Sequence, residues 1–197
     1  MAALAEEACV SLGLVAKVKP LLLDREWAVV TPHGLALIAP DEALDAWAVA
    51  FRYRRNCIHD FYSFRGVKET EHRLAEAAED VGVCYALAEF SGAERLAPHV
   101  RYKRAAAYVD TEAQDKVARR AEMRTVETGP NIRLFDPYDA GVFFGARQIG
   151  DVNVAHPIQL ILDLNLARIR GEEGAAFLRS QILEPAWKAM CDQQKEH

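Results

Sequence analysis

Two pairs of polar residues in this sequence could support acid–base or metal chemistry. His59 and Asp60 are adjacent, and a carboxylate can orient an imidazole for proton transfer. Asp136 and Asp139 are three residues apart and could hold a metal ion together with Asp110. Simpler explanations fit both pairs: a hydrogen bond at a domain junction for the first, and aspartates that cap a turn for the second. We favour these structural roles.

Sequence motifs that would specify an enzyme are missing. There is no Gly-x-x-x-x-Gly-Lys-Ser/Thr loop for phosphates, no Gly-x-Ser-x-Gly nucleophile elbow and no His-Glu-x-x-His metal pair. The four cysteines are far apart and form no Cys-x-x-Cys motif. We therefore predict no enzymatic activity, no bound metal and no cofactor. A nucleotide-handling enzyme built on the C-terminal part of the chain is kept as an alternative.

Asp163 is the acidic residue that most needs a partner. It lies in a predicted helix that begins at Pro157 and is rich in Leu and Ile as far as Ile169. Burying a carboxylate without a partner is strongly unfavourable. We expect an arginine to supply that partner, which would give Asp163 a structural role.

A basic segment between residues 95 and 104 could bind an anion. Together with His99 it would suit a nucleic acid, a nucleotide or the acidic surface of a toxin partner, because complementary charge speeds encounter. Tyr102 is the main aromatic residue nearby, so a platform for base stacking is not evident. A solvated face explains the segment more simply. The candidate side chains are Arg95, Arg101, Lys103 and Arg104.

The N-terminal residues favour DNA as a partner. Residues 4–18 have the spacing of a helix-turn-helix, with the small Ala5 in the first helix and a turn at Cys9-Val10-Ser11. Ser11 is placed to cap the second helix, whose buried face is predicted to contain Leu14, Val15 and Val18. Cys9 stands where glycine is usual, so a positive φ at this position would be strained.

The second helix would present its first turns to base edges in the major groove and its lysines to phosphates. Few of its outward side chains form hydrogen bonds, and an ordinary helical hairpin within a core fits the same residues. Pro20 is expected to kink or stop the helix after Lys19, because proline removes a backbone hydrogen bond. The predicted DNA contacts in this segment are Ser11, Leu12, Gly13, Leu14, Lys17 and Lys19.

A hairpin and a third helix complete the predicted N-terminal domain. Residues 27–31 and 35–39 are strand-forming runs separated by Pro32-His33-Gly34, which predicts a wing with His33 at its tip. The next helix begins with acidic residues at Asp41 and continues through Phe51 to a basic end, in accord with the helix dipole. That end could hold DNA phosphates, although a dipole-matched or solvated terminus, and a solvated His33, explain the same residues. The predicted contacts here are His33, Arg52, Arg54 and Arg55.

Taken in order, these segments resemble the AbiEi-type transcriptional regulators, the antitoxins of type IV toxin–antitoxin systems. The resemblance begins at residues 11–18, includes the hairpin and the helix that starts at Pro40-Asp41-Glu42, and covers nearly the whole chain. The downstream segments that carry it are Phe61-Tyr62-Ser63-Phe64, Tyr85-Ala86-Leu87-Ala88, residues 96–102, residues 153–164 and Gly171-Glu172-Glu173.

The resemblance implies a DNA-binding winged helix that represses its own operon, followed by a domain tied to neutralising a nucleotidyltransferase-like toxin from the neighbouring gene. The chain begins inside the helix-turn-helix pair, so we expect the first helix of the winged helix to be missing. Residues 1–60 carry six Lys and Arg and eight Asp and Glu, which predicts weak, salt-sensitive or dimer-dependent DNA binding. The alternative is a shortened relative that does not bind DNA and acts through protein contacts.

Residues beyond 58 predict a mixed α/β domain. Strands are predicted at 83–90, 105–110, 123–128, 132–135 and 142–148, and helices at 72–81, 91–96, 111–122 with Thr111 as the cap, from 157 and from 171. The whole chain is predicted to be an α+β protein, with a winged helix at 1–58 and an α/β antitoxin or regulatory domain at 59–197. It has a net charge of −5, no signal peptide and no apolar run that could span a bilayer. We expect a cytoplasmic homo-oligomer.

Overall fold

The chain divides into two compact units. The computed structural model describes residues 2–32, 34–52, 58–99, 101–167 and 169–195. Residues 1–51 together with 186–197 form the first unit, and residues 52–185 form the second. Three of the predicted DNA contacts, His33, Arg54 and Arg55, lie outside the described residues.

The first unit contains two helices, a hairpin and a third helix. Its elements are α1 (Ala2–Glu7), α2 (Leu12–Asp24), β1 (Ala28–Thr31), β2 (Gly34–Leu37) and α3 (Pro40–Ala50). α1 packs on α2, and each has one buried residue, Ala5 and Val15 respectively. β1 and β2 pair antiparallel, with Thr31 opposite Gly34 at the turn. The predicted helix pair and hairpin are therefore confirmed as elements.

The second helix is longer and less buried than its sequence predicts. The sequence predicted a kink or a stop after Lys19; α2 continues through Pro20, so the stop is wrong. Both Pro20 and Ala16 are exposed, and water can therefore bond the Ala16 carbonyl that lacks an amide partner. The predicted buried face is also wrong in part, because Leu14 and Val18 are 48% and 40% exposed.

The third helix ends before the basic segment. α3 stops at Ala50, and Phe51 is extended and buried. Arg52 follows this extended residue, so it is not part of the helix. The prediction of a basic last turn is therefore wrong. Phe51 is extended and its side chain is buried, so α3 ends at Ala50, before the basic residues.

A mixed sheet of seven strands forms the centre of the second unit in the described part of the chain. The strands are β3 (Ile58–Tyr62), β4 (Tyr85–Leu87), β5 (Ala105–Val109), β6 (Arg124–Thr125), β7 (Ile132–Phe135), β8 (Arg147–Ile149) and β9 (Val152–Val154). Their order is β6-β3-β7-β5-β4-β9-β8. β5 pairs parallel with β7, and β4 pairs parallel with β9, whereas the remaining neighbours are antiparallel. All five residues of β5 are buried, as expected for a central strand.

Helices pack around this sheet in two groups. The helices are α4 (Val67–Val81), α5 (Glu89–Leu96), α6 (Gln114–Arg120), α7 (Pro157–Leu166) and α8 (Gly171–Leu178). α4 packs with α6, whereas α5, α7 and α8 pack with one another. A π-helical turn, Arg179–Leu183, leads into α9 (Glu184–Lys195), which belongs to the first unit from Ala186 onward.

Several predicted elements of the second unit are confirmed and others are shorter or different. The strand at 132–135, the helix ending at Val81 and the start of α7 at Pro157 agree with prediction. The strand predicted at 83–90 ends at Leu87, because α5 already begins at Glu89. Ile169, predicted within α7, lies beyond its end and is 78% exposed.

Two further predictions fail because short 3-10 turns replace regular structure. Residues 142–146 were predicted as strand, but Ala140–Phe143 is a 3-10 turn and β8 begins only at Arg147. Thr111 does not cap a helix, since Thr111–Ala113 is itself a 3-10 turn that precedes α6. The mixture of helix and strand nevertheless agrees with the α+β class. Within the described residues, no helix has the length and apolar character needed to cross a membrane.

Candidate functional site

The helix pair of the first unit is fixed by the turn between α1 and α2. Cys9 has φ 52°, in the left-handed region that costs an L-residue about 1 kcal/mol. The backbone N–H of Val10 donates to the carbonyl of Ala5 at 2.9 Å and closes α1. Ser11 then caps α2, because its Oγ accepts from the backbone N–H of Leu14 at 3.2 Å. The predicted cap by Ser11 and the strained backbone at Cys9 are confirmed.

The predicted DNA contacts on α2 lie mostly at the surface. Leu12 is 57% exposed, Gly13 and Lys17 are exposed, and Lys19 is half-buried. Lysine is a residue type that contacts phosphates, whereas Leu12 and Gly13 have no side-chain group that could form a hydrogen bond with a base edge. The residue types on the surface of α2 therefore suit contacts with a DNA sugar–phosphate backbone better than sequence-specific contacts with bases.

An apolar stripe runs along the same helix. Leu14, Val18 and Leu21 follow the spacing i, i+4, i+7 and are 48%, 40% and 47% exposed. Residues at this spacing lie on one face of a helix. Half-exposed side chains of this kind, next to the lysines, make α2 a candidate for protein contacts as well.

The basic segment of the second unit separates into two parts. Glu71 is fully buried and accepts hydrogen bonds from Arg95 Nη2 at 2.9 Å and from the Tyr102 hydroxyl at 2.5 Å. Burial, with Glu71 beside it, raises the pKa of Tyr102, so the phenol stays protonated as a donor. Arg95 and Tyr102 thus serve an internal network that sequence reasoning missed. The exposed candidates of this segment are Arg101, Lys103 and Arg104.

The residues considered for catalysis have structural partners. His59 Nε2 lies 3.4 Å from Asp136 Oδ1, whereas Asp60 Oδ1 lies 3.3 Å from Arg133 Nε. His59 and Asp60 therefore do not act as a pair. Asp139 caps the 3-10 turn that follows it, as the turn explanation predicts. In the part of the chain that the structure describes, no group of three or more His, Cys, Asp or Glu side chains could hold a metal ion.

Asp163 is fully buried and is bound by neutral side chains. Its Oδ1 accepts from the Tyr108 hydroxyl at 2.7 Å and from Gln159 Nε2 at 2.8 Å. Gln159 in turn accepts from the Tyr138 hydroxyl at 2.8 Å. Burial raises the pKa of Asp163 to about 7, although the bonds from Tyr108 and Gln159 act in the opposite direction. Within the described residues, Tyr108 of β5 and Gln159 of α7 take the place that was predicted for an arginine.

A polar pocket that the sequence analysis did not predict lies where β3 and β6 pair. We call it the Phe64 pocket; it is open, has a volume of about 860 Å³ and is lined by Ser63, Phe64, Arg65, Gly66, Glu69, Arg119, Glu122, Met123 and Arg124. Phe64 is 79% exposed, its ring meets Tyr62 edge-on at 5.0 Å, and the Arg124 guanidinium lies 5.7 Å from its centroid. Its lining comes from separate segments, so no local motif could have identified it.

Comparison with protein-family models assigns the chain to a class of transcriptional regulators. The matching model is described as "Transcriptional regulator, AbiEi antitoxin, Type IV TA system", and it covers residues 36–184. The chain therefore belongs to the AbiEi antitoxin family of type IV toxin–antitoxin systems, which its sequence resembles. The match includes α3 and nearly all of the second unit, whereas α1 and α2 precede it. No curated protein and no solved structure matched the chain.

Proposed function

We propose that this chain is a DNA-binding antitoxin that represses its own operon and contacts the operator with α2. One observation carries the proposal: α2 follows α1 across a tight turn, is capped by Ser11 and is followed directly by the β1–β2 hairpin. Winged-helix proteins use this order of elements to place a helix in the major groove. Lys17 and Lys19 are then placed to neutralise phosphates.

Family membership supports the remaining parts of the proposal. A type IV antitoxin acts against a toxin, which the resemblance suggests to be nucleotidyltransferase-like and encoded by the neighbouring gene. The chain would act in the cytoplasm, where its operator is accessible. Because residues 1–60 carry a net charge of −2, a homo-oligomer with two DNA-binding units would bind more tightly than a single copy.

Fluorescence anisotropy with the promoter region of the chain's own operon tests DNA binding. The full chain is titrated into labelled DNA over a series of salt concentrations, beside Lys17→Ala and Lys19→Ala. Each lysine that contacts a phosphate should lower the salt slope by about one when it is removed. Lys116→Ala, which removes an exposed cation of the second unit, is the matched control and should leave the slope unchanged. Affinity no higher than for random DNA would exclude the repressor function.

A second candidate function is favoured by the apolar stripe Leu14, Val18 and Leu21. In that case, the first unit would make protein contacts without binding DNA, and the chain would be a shortened relative of the family. If α2 makes protein contacts, Leu14→Lys with Leu21→Lys should dissociate the oligomer that these contacts hold together. Light scattering measures this dissociation and so distinguishes the two functions. These added lysines would instead maintain or raise DNA affinity if α2 only contacts phosphates.

A further inference from the structure

The Phe64 pocket presents its aromatic ring on a fixed loop. The backbone N–H of Ser63 donates to Asn131 Oδ1 at 2.9 Å, and Asn131 Nδ2 donates to the carbonyl of Ser63 at 2.8 Å. On the other side of Phe64, the backbone N–H of Arg65 donates to Ser63 Oγ at 3.2 Å. These bonds fix the backbone that flanks the ring. Phe64 is thus both exposed and preorganised, which lowers the entropy lost when a ligand binds.

The charges in the pocket leave two cations available. Arg65 donates to Glu69 Oε1 at 2.6 Å and to Glu122 Oε2 at 2.5 Å, so one arginine occupies both carboxylates. Arg119 and Arg124 are exposed, and neither forms an ion pair within the described part of the chain. A ligand that enters the pocket therefore meets an unpaired positive charge beside the Phe64 ring.

The backbone of Glu122, which lines the pocket, is in a strained conformation. Glu122 has φ 58° at the end of α6, a left-handed position that glycine usually occupies. A non-glycine residue at such a position costs about 1 kcal/mol or more, and strain of this kind is concentrated at binding sites. At this position, the Glu122 carboxylate reaches Arg65.

The pocket also borders an edge of the sheet. β6 is the outermost described strand on this side, and its two residues, Arg124 and Thr125, are both exposed. An outermost strand has unpaired backbone N–H and C=O groups that an extended peptide can bond. The edge therefore favours a polypeptide ligand.

We propose that the Phe64 pocket binds an extended acidic segment of a partner protein. The segment lies along β6, places an apolar side chain on Phe64 and directs a carboxylate to Arg119 and Arg124. A peptide can place a single carboxylate at Arg119 and Arg124, away from Glu69 and Glu122. A single-stranded nucleic acid fits less well, because it carries a phosphate at every nucleotide and would bring some of them to these two carboxylates, which are 54% and 70% exposed. This site belongs to the second unit and does not depend on DNA binding by α2.

Selection from a phage-displayed library of random peptides, with the full chain immobilised, tests this proposal. We expect the enriched peptides to share an Asp or Glu close to an aromatic or aliphatic residue. Phe64→Ala and the double variant Arg119→Ser with Arg124→Ser should each weaken binding of these peptides about tenfold or more. Their side chains are exposed, so both variants should fold normally, which thermal unfolding verifies.

Matched controls remove similar side chains elsewhere in the second unit. Phe144→Ala removes another exposed aromatic ring, and Arg147→Ser removes another exposed cation; neither should change binding. The proposal is overturned if no acidic peptides are enriched, or if those enriched bind the pocket variants as tightly as the wild type. A labelled oligothymidylate that binds the wild type but not the pocket variants, in the absence of acidic peptides, would assign the pocket to nucleic acid instead.

Discussion

Two carboxyl groups are buried close together where α5 meets α7. Glu89 begins α5 with φ 44°, and its backbone N–H donates to the carboxylate of Asp163. Burial raises the pKa of both side chains. Arg133 Nη1, 3.7 Å from Glu89 Oε1, counteracts this rise for Glu89. The bonds from Tyr108, Gln159 and the Glu89 backbone lower the pKa of Asp163, but burial outweighs them.

The raised pKa of Asp163 predicts a specific pH dependence of stability. The folded protein keeps the proton up to about pH 7, whereas an unfolded aspartate releases it near its ordinary pKa of about 4. Between these values the folded state binds more protons, so the contribution of Asp163 to the free energy of unfolding decreases as pH rises. Above the folded pKa this loss is complete. Asp163→Asn stays neutral and should remove this dependence.

Urea unfolding at about pH 5 and about pH 8 measures the effect, because the variant should gain stability relative to the wild type as pH rises. Asp110→Asn changes an exposed carboxylate in the same unit and is the control. An identical pH dependence in wild type and Asp163→Asn would show that Asp163 does not titrate in this range.

Elements with local signals were predictable from the sequence. The Ser11 cap, the proline at the start of α7 and the strand-forming residues of β7 each depend on neighbouring residues, and each agrees with the structure. The continuation of α2 past Pro20 was not predictable from propensity. It depends on the exposure of that part of the helix, which only the folded structure defines.

The candidate sites were less predictable because they join distant segments. The buried carboxylate of Glu71 accepts hydrogen bonds from Arg95 and Tyr102, which lie 24 and 31 residues further along the chain. The Phe64 pocket likewise needs β6 to pair with β3. The sequence contained one partial signal, Phe64 in the loop after β3, since an aromatic residue in a loop at the end of a strand suggests a contact surface. The rest of the pocket lining comes from distant segments and has no local signal.

The α7–α8 connection depends on one glycine. A Cβ on Gly171 would lie 2.0 Å from the carbonyl oxygen of Leu164, a backbone atom that cannot move aside. Gly171→Ala should therefore lower the free energy of unfolding by about 1–3 kcal/mol, as overpacking does in a well-packed core. Gly66→Ala is the control, because a Cβ there meets nothing within 4 Å. Equal stability of the two variants in urea unfolding would contradict close packing of α8 on α7.

On the scale of the whole molecule, acidic residues outnumber basic ones. The chain has 24 Lys and Arg against 29 Asp and Glu, and the N-terminal 60 residues share this excess. Phosphate contacts supply most of the non-specific affinity of proteins for DNA. The proposed function therefore requires that a few lysines bind DNA against an unfavourable overall field.

Substitution of acidic residues on α1 can reduce the negative electrostatic potential near α2. Glu6 and Glu7 are exposed on α1, and the double variant Glu6→Gln with Glu7→Gln should tighten DNA binding several-fold, because it removes repulsion of phosphates close to the contact. Glu112→Gln with Glu127→Gln makes the same change of charge at exposed positions of the second unit and is the control. Anisotropy titrations at low salt compare the two double variants. Equal tightening would mean that net charge, and not the surface of α2, governs binding.

The strand order of the second unit determines when it can fold during synthesis. β7 lies between β3 and β5, so residues 58–60 obtain a strand partner only when residues 133–135 have been made. β4 likewise waits for residue 154 before it has a second neighbour. A nascent chain that has left the ribosome only as far as β5 therefore carries incomplete sheet edges. Such edges promote association with other chains, so slow translation before β7 should increase aggregation of the newborn protein.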